Sequence, residues 1–234
     1  MSSFHTVRQG EHLSRIAAQY AFQDYTLIWN HGKNAELKAL RQNPNVLLPG
    51  DILFIPDKRE KEDSKPTDNK HAHNVPRPKL LLRVRLENLF EEPIANRPCL
   101  FREEKKAIRL TTDGQGQIEQ DIPANVEFAS VEVQPFDTQE VAIEVPIFVG
   151  HLDPVTEVSG WQSRLNNLGY AAGFAPIPLR DPGQTAKEQF EALPSNRKEP
   201  LLSAIEEFQC DHHLKVDGIC GAATQAKLKD IHGC

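Results

Sequence analysis

The sequence predicts a multidomain α+β chain: a βααβ module, a central antiparallel β-sandwich and a C-terminal three-helix bundle. Three observations carry this. Apolar spacing changes from a mixed pattern to strict alternation, and then to the helical period, along the 234 residues. Residues 57–78 are dominated by charge and proline, with Ala72 and Val75 their only apolar side chains. Such a stretch cannot bury enough surface to offset its ordering entropy, which marks it as a linker. At roughly 100–200 residues per domain, the length holds one or two domains, or three if they are small. The boundaries that follow are 1–57 for the module, 58–78 for a flexible linker, 79–150 for the sandwich and 151–234 for the helical region.

In the first module Val7 ends a short strand and Gly10 permits a tight turn. Leu13, Ile16, Ala17 and Tyr20 then share one helical face. Leu27 and Ile28 begin a second helix that Leu37 and Leu40 extend, and Pro49-Gly50 turns the chain into a strand beside the first.

From Lys79 the pattern has period two. Leu80, Leu82, Val84 and Leu86 alternate with Leu81, Arg83, Arg85 and Glu87, and further strands are predicted at 108–110, 117–122, 127–133 and 140–145. Thr112-Asp113-Gly114-Gln115-Gly116 is a turn between two of them, with Asp113 capping its own backbone. Cys99, in another strand, is read as a small buried hydrophobe.

Beyond Val155 helical spacing returns. Trp161, Leu165 and Leu168 lie at i, i+4 and i+7 before Gly169, a helix-terminating glycine. Leu201, Leu202, Ile205 and Phe208 form a second stripe, and Thr224, Ala226, Leu228 and Ile231 a third. Between the first two, 171–200 is a proline-rich insert with a helix expected at 185–193.

Composition excludes several classes. The chain is 39% hydrophobic and 26% charged, as ordinary globular domains are, and its formal charge is -6. It has no broad basic field, so nucleic acid is not an expected partner. Its apolar runs fall far short of the ~20 residues that cross a bilayer, so no membrane insertion is expected. Residues 1–10 lack the apolar segment of a secretory signal. Synthesis in the cytoplasm is therefore expected, with any transfer to a periplasm or target cell made by a secretion machine. Four cysteines, Cys99, Cys210, Cys220 and Cys234, do not make a disulfide framework. A pair among the last three remains open.

Residues 4–56 resemble a LysM domain. The resemblance rests on Phe4-His5-Thr6-Val7-Arg8-Gln9-Gly10-Glu11-His12-Leu13 at the start and Pro49-Gly50-Asp51-Ile52-Leu53-Phe54-Ile55-Pro56 at the close. It implies binding of N-acetylglucosamine glycans in a shallow groove. Carried over by position, the groove residues are Gln9, Gly10, Glu11 and His12 with Asn45, Val46 and Leu47. Backbone donors and acceptors there suit an acetamido group. The segment from Ile28 to Asn45 is longer than usual. In this form the module is similar to those associated with type VI secretion and phage-tail-like contractile injection machines.

Residues 111–118, followed by Asp121-Ile122-Pro123, resemble a prealbumin-like sandwich, which implies a spacer or interaction domain. The segments 161–170, 204–209 and 214–224 are similar to the successive parts of a three-helix peptidoglycan-binding domain. That resemblance implies Trp161, Tyr170, Asp217 and Gly218 as a second set of binding residues, although the insert replaces a loop many members carry. Physically, Asp217-Gly218 makes a tight loop whose amides Thr224 can help satisfy, and Trp161 at a helix start can pack in the core.

No HExxH, GxSxG or Walker sequence occurs, so no catalytic residues and no cofactor are assigned. Cys210, His212, His213, Cys220, His232 and Cys234 can ligate zinc, but their spacing matches no standard finger, and no metal is expected. The expected function is non-catalytic peptidoglycan binding, in company with a type VI secretion or related contractile injection system. One alternative is an adaptor that holds a spike protein or effector through the same modules. Another is a cell-wall hydrolase.

Overall fold

The change from alternating to helical apolar spacing reappears in the computed structural model, which describes residues 2–58, 79–88, 90, 92–104, 106–134 and 142–234. Apart from residue 58, the expected linker 58–78 lies outside the described residues, as do residues 140 and 141 of the strand expected at 140–145. The chain is mixed α+β, and among the described residues all paired strands are antiparallel. It divides into two compact units, Met1–Asn45 with Pro49–His151 and Val46–Leu48 with Leu152–Cys234. Among the described residues no helix is long and apolar enough to cross a membrane.

The first unit begins with β1 (Ser3–Thr6), paired to β2 (Ile52–Ile55) with Phe4 opposite Phe54. Between them run α1 (Leu13–Gln19), α2 (Thr26–Trp29), a 3-10 turn (Gly32–Asn34) and α3 (Ala35–Arg41). Leu13, Ile16, Ile28 and Leu53 are wholly buried. Each such side chain contributes roughly 1.5–3 kcal/mol of transfer free energy. The second helix expected from Leu27 to Leu40 is broken. His31 takes an extended conformation (ψ 136°) and its Nδ1 accepts the Lys33 N–H, starting a new turn. Leu27 and Leu40, counted as apolar-face residues, are instead 65% and 62% exposed. Asn34 fixes the break. Its side-chain amide donates to the Ile28 and Phe54 carbonyls at 2.8 and 2.9 Å and accepts the Phe54 N–H at 2.8 Å.

Six more strands follow: β3 (Lys79–Arg85), β4 (Pro98–Glu103), β5 (Lys106–Thr111), β6 (Gln117–Pro123), β7 (Phe128–Val133) and β8 (Ile143–Phe148). β3 pairs with β6, and the other four form a sheet of order β5-β4-β7-β8. Alternate residues of both sheets, among them Phe101, Ile118, Ile122, Ala129 and Val131, share one apolar cluster. Cys99 belongs to it, and burial pushes its thiol pKa up. The 112–116 turn leads from β5 to β6, which lie in different sheets, so it is a crossing between sheets and not a hairpin. Asp113 Oδ1 accepts the N–H groups of Gln115 and Gln117 at 2.8 Å, so Asp113 does cap its own turn.

In the second unit α4 (Val158–Asn167), α6 (Ser195–Asp211) and α7 (Ala222–His232) fall where the three stripes were expected, but of the third stripe Ala226 and Ile231 are exposed and only Thr224 and Leu228 are buried. Trp161, Leu165, Leu201, Ile205, Phe208 and Leu228 lie in their common core. The insert adds α5 (Ala186–Ala192), started by a capping box in which Thr185 and Glu188 bond each other's backbone N–H. The rest of the insert is pinned by polar side chains. Gln162 donates to the carbonyls of Ala172, Gly173 and Ala175, Gln189 donates to Pro178, and Arg180 forks onto Glu157 at 2.8 and 3.0 Å. Arg164 is 1% exposed and spends its donors on the carbonyls of Asp153, Gly160 and Cys234. Burial lowers its pKa.

Candidate functional site

The turn after β1 is built by its own backbone and by one carboxylate. Val7 and Gly50 or Asp51 exchange N–H···O bonds at 2.8–2.9 Å, which brings the turn beside the start of β2. Gly10 sits at φ +80°, a conformation that favours glycine. Glu11 Oε2 accepts the Arg8 N–H at 2.9 Å and meets His5 Nε2 at 2.8 Å. Burial works against the charged form of Glu11, but the Arg8 N–H and His5 outweigh it, and the net pKa is lowered. Glu11 is therefore a buried brace of the turn.

His12 starts α1. It is 1% exposed, and its Nδ1 accepts the Arg15 N–H at 3.4 Å. With Nδ1 accepting, the neutral ring carries its proton on Nε2, and that donor is buried without a partner. Burial holds the His12 pKa down at about 4, with the Arg15 charge adding to the effect.

The loop before β2 meets this turn. Leu13 N–H donates to the Pro44 carbonyl at 3.1 Å, and Ser14 Oγ donates to Asn45 Oδ1 at 3.2 Å. Thus the first turn of α1, directly after residues 9–12, meets Pro44 and Asn45. Access is a different matter. Gln9 and Asn45 are exposed, whereas Gly10, Glu11, His12, Val46 and Leu47 are buried. Val46 and Leu47 are apolar and belong to the second unit.

What covers Gly10 and His12 is residues 149–151 of the same unit. A methyl group added at Gly10 would lie 3.0 Å from His151 Nε2. One added at Gly150 would lie 2.5 Å from the Gly10 carbonyl oxygen and 3.0 Å from His12 Cδ2. Gly150, at φ +82°, thus supplies the close backbone approach. Arg15 joins the two sides: it reaches the Gly10 carbonyl at 3.4 Å and pairs with the Glu127 carboxylate. The Glu127 carbonyl in turn accepts the Val149 N–H at 3.0 Å. Nothing in the spacing of the sequence pointed to Gly150, His151, Arg15 or Glu127. Only the paired positive-φ glycines, Gly10 and Gly150, could have hinted at a close approach.

The second expected set sits differently. Trp161 is 3% exposed in the helical core and donates Nε1–H to the Val155 carbonyl at 2.7 Å. No face of it is open to stack on a sugar. Tyr170 is half-buried, edge-on to Phe208, with its hydroxyl donating to Asp211 at 3.0 Å. Gly218 is buried and Asp217 exposed. Both belong to a loop organised by Gln209, a residue the sequence reading left unassigned. Gln209 Oε1 accepts the Asp217 and Gly218 N–H groups, both at 3.0 Å. Its Nε2 donates to Asp217 Oδ1, the Ile219 carbonyl and Thr224 Oγ1 at 3.0–3.1 Å. The Ile219 N–H, above all, and Lys215 hold the Asp217 pKa down.

The zinc-competent side chains are dispersed in role. Cys210 is exposed, Cys220 is buried with its thiol pushed up to about 12, and His232 Nδ1 lies 3.2 Å from Cys234 Sγ. Among the described residues no group of three or more His, Cys, Asp or Glu is placed to hold a metal. No family model matches the chain, and no curated protein or solved structure matches it.

Proposed function

We propose that the chain is a non-catalytic peptidoglycan-binding protein that works with a type VI secretion or related contractile injection system. In this reading residues 1–57 are a LysM-like module for N-acetylglucosamine glycans. Residues 79–150 are a prealbumin-like sandwich that spaces the modules. Residues 151–234 are a three-helix peptidoglycan-binding-like region enlarged by its insert. The observation that carries the reading is the meeting of the first turn of α1, which follows residues 9–12, with Asn45 through Ser14 Oγ at 3.2 Å. An exposed amide at the start of α1, next in sequence to the turn, is suited to an acetamido group. The helical region contributes a scaffold, with Asp217 its one exposed member of the expected set.

A second reading, adaptor to a spike protein or effector, is favoured by a different feature. Phe128 and Phe148, on neighbouring strands, form an edge-to-face pair with centroids 5.5 Å apart and are 47% and 61% exposed. Exposed aromatic pairs suit protein contacts. Co-sedimentation of the full chain with purified sacculi separates the two. Pelleting that soluble N-acetylglucosamine oligomers compete away supports glycan binding. No pelleting, together with capture of a spike or effector that Phe148→Ser abolishes, supports the adaptor. Loss of turbidity from the sacculi themselves would instead establish a hydrolase.

A further inference from the structure

We propose that residues 149–151 are an intramolecular latch that keeps the Gly10–His12 turn closed, and that glycan binding requires the latch to lift. The inference rests on the wall-glycan reading and adds a regulatory device to that site.

Three features separate a latch from simple core packing. First, the closest contact is backbone against backbone. Gly150 lies against the Gly10 carbonyl with no room for a Cβ, and a Cβ on Gly10 would crowd the His151 ring. The acceptor covered is one that an acetamido N–H would use. Second, closure leaves a polar group unsatisfied. His12 Nε2 is buried facing the covering segment and has no partner. An orphaned donor costs roughly 1–3 kcal/mol, so the closed state is held against a standing penalty that a ligand acceptor would relieve. Third, the fastening is at the surface. Arg15 pairs with Glu127, whose side chain is 64% exposed, and Phe148 steers the His151 ring edge-on at 5.8 Å. An exposed ion pair contributes little, so the fastening is weak enough to open.

Two variants of the full chain test the latch without touching the turn. Glu127→Lys removes the ion pair and sets a like charge against Arg15. Gly150→Ala places a methyl group where the Gly10 carbonyl lies. Two readouts are taken on each: amide hydrogen exchange at residues 10–13, and calorimetric affinity for an N-acetylglucosamine hexasaccharide. The latch predicts faster exchange in both variants. It predicts affinity raised about 2–5-fold by Glu127→Lys, the range of an exposed ion pair. For Gly150→Ala it predicts a gain of tenfold or more, because affinity scales with the fraction of open molecules. Unchanged exchange in Glu127→Lys overturns the latch, and this surface variant stays informative if Gly150→Ala fails to fold. Faster exchange with no gain in affinity leaves the latch standing and overturns the glycan reading of the turn. Higher affinity with unchanged exchange overturns the latch alone.

Discussion

Replacing Gln209 by leucine removes the hub of the Asp217-Gly218 loop while nearly keeping its volume. Five hydrogen bonds disappear, and the partners do not fare alike. Asp217 is exposed, so water can take over its N–H and carboxylate. Thr224 Oγ1 keeps a 3.3 Å bond to the Ile219 carbonyl. The Gly218 N–H is buried and has nowhere to turn. One such orphan costs roughly 1–3 kcal/mol, and each lost neutral bond adds about 0.5–1.5 kcal/mol. The expected loss is about 3 kcal/mol for the second unit. At ~4–8 °C per kcal/mol for a unit of this size, its Tm falls by about 12–24 °C. Trp161 is the unit's own reporter once Trp29 is replaced by Phe in both proteins, and urea melts of its emission give the difference. Gln209→Glu keeps an acceptor for Gly218 and should lose less. A Gln209→Leu loss under about 1 kcal/mol would refute the hub and its claim to position Asp217.

Other outcomes follow from the same structure. Asn34→Leu strands the Phe54 N–H and two carbonyls, and should cost the first unit about 3 kcal/mol in thermal or urea melts. His12 titrates at about 4 when folded against an ordinary 6.5. Between those values the unfolded chain binds a proton the folded one does not. Stability is therefore complete above pH 6.5 and falls as pH drops toward 4, by up to about 3 kcal/mol. Urea melts of the first unit at pH 7 and pH 4.5 measure this, and His12→Gln should flatten the profile. His232, held down to about 4 chiefly by burial, gives the second unit a dependence of the same sign. Iodoacetamide at pH 8 should label exposed Cys210 at least ~tenfold faster than buried Cys220. Mass spectrometry of timed samples reads the order, and faster labelling of Cys220 would contradict its burial.

Much of the secondary structure was legible because it is written in local spacing. The stripe that starts with Trp161 and Leu165 became α4, closed by Leu168, and the helix expected at 185–193 became α5. Alternation at Leu80, Leu82 and Val84 became β3, with those residues packed on the sheet core. Polar hubs were not legible. Asn34 and Gln209 read as ordinary polar residues, because their worth lies in partners 20 residues away or in a loop whose shape spacing does not encode. His31 was equally silent, since a capping imidazole leaves no periodic mark where it breaks a helix. Of the expected groove residues, Gly10, Glu11, His12, Val46 and Leu47 prove buried, and the contact on Gly10 comes from Gly150, 140 residues away in sequence. Tertiary contact of that range has no local signature.

If the proposed function holds, the turn after β1 is a glycan face closed by the chain's own residues. The most direct test follows backbone amide shifts of the Glu127→Lys chain by NMR while an N-acetylglucosamine hexasaccharide is added. Shifts concentrated at Gln9, Gly10, Glu11, His12 and Asn45, with smaller ones in the wild-type chain at the same ligand concentration, are the predicted result. Shifts confined to the Asp217-Gly218 loop, or none in either chain, would contradict it.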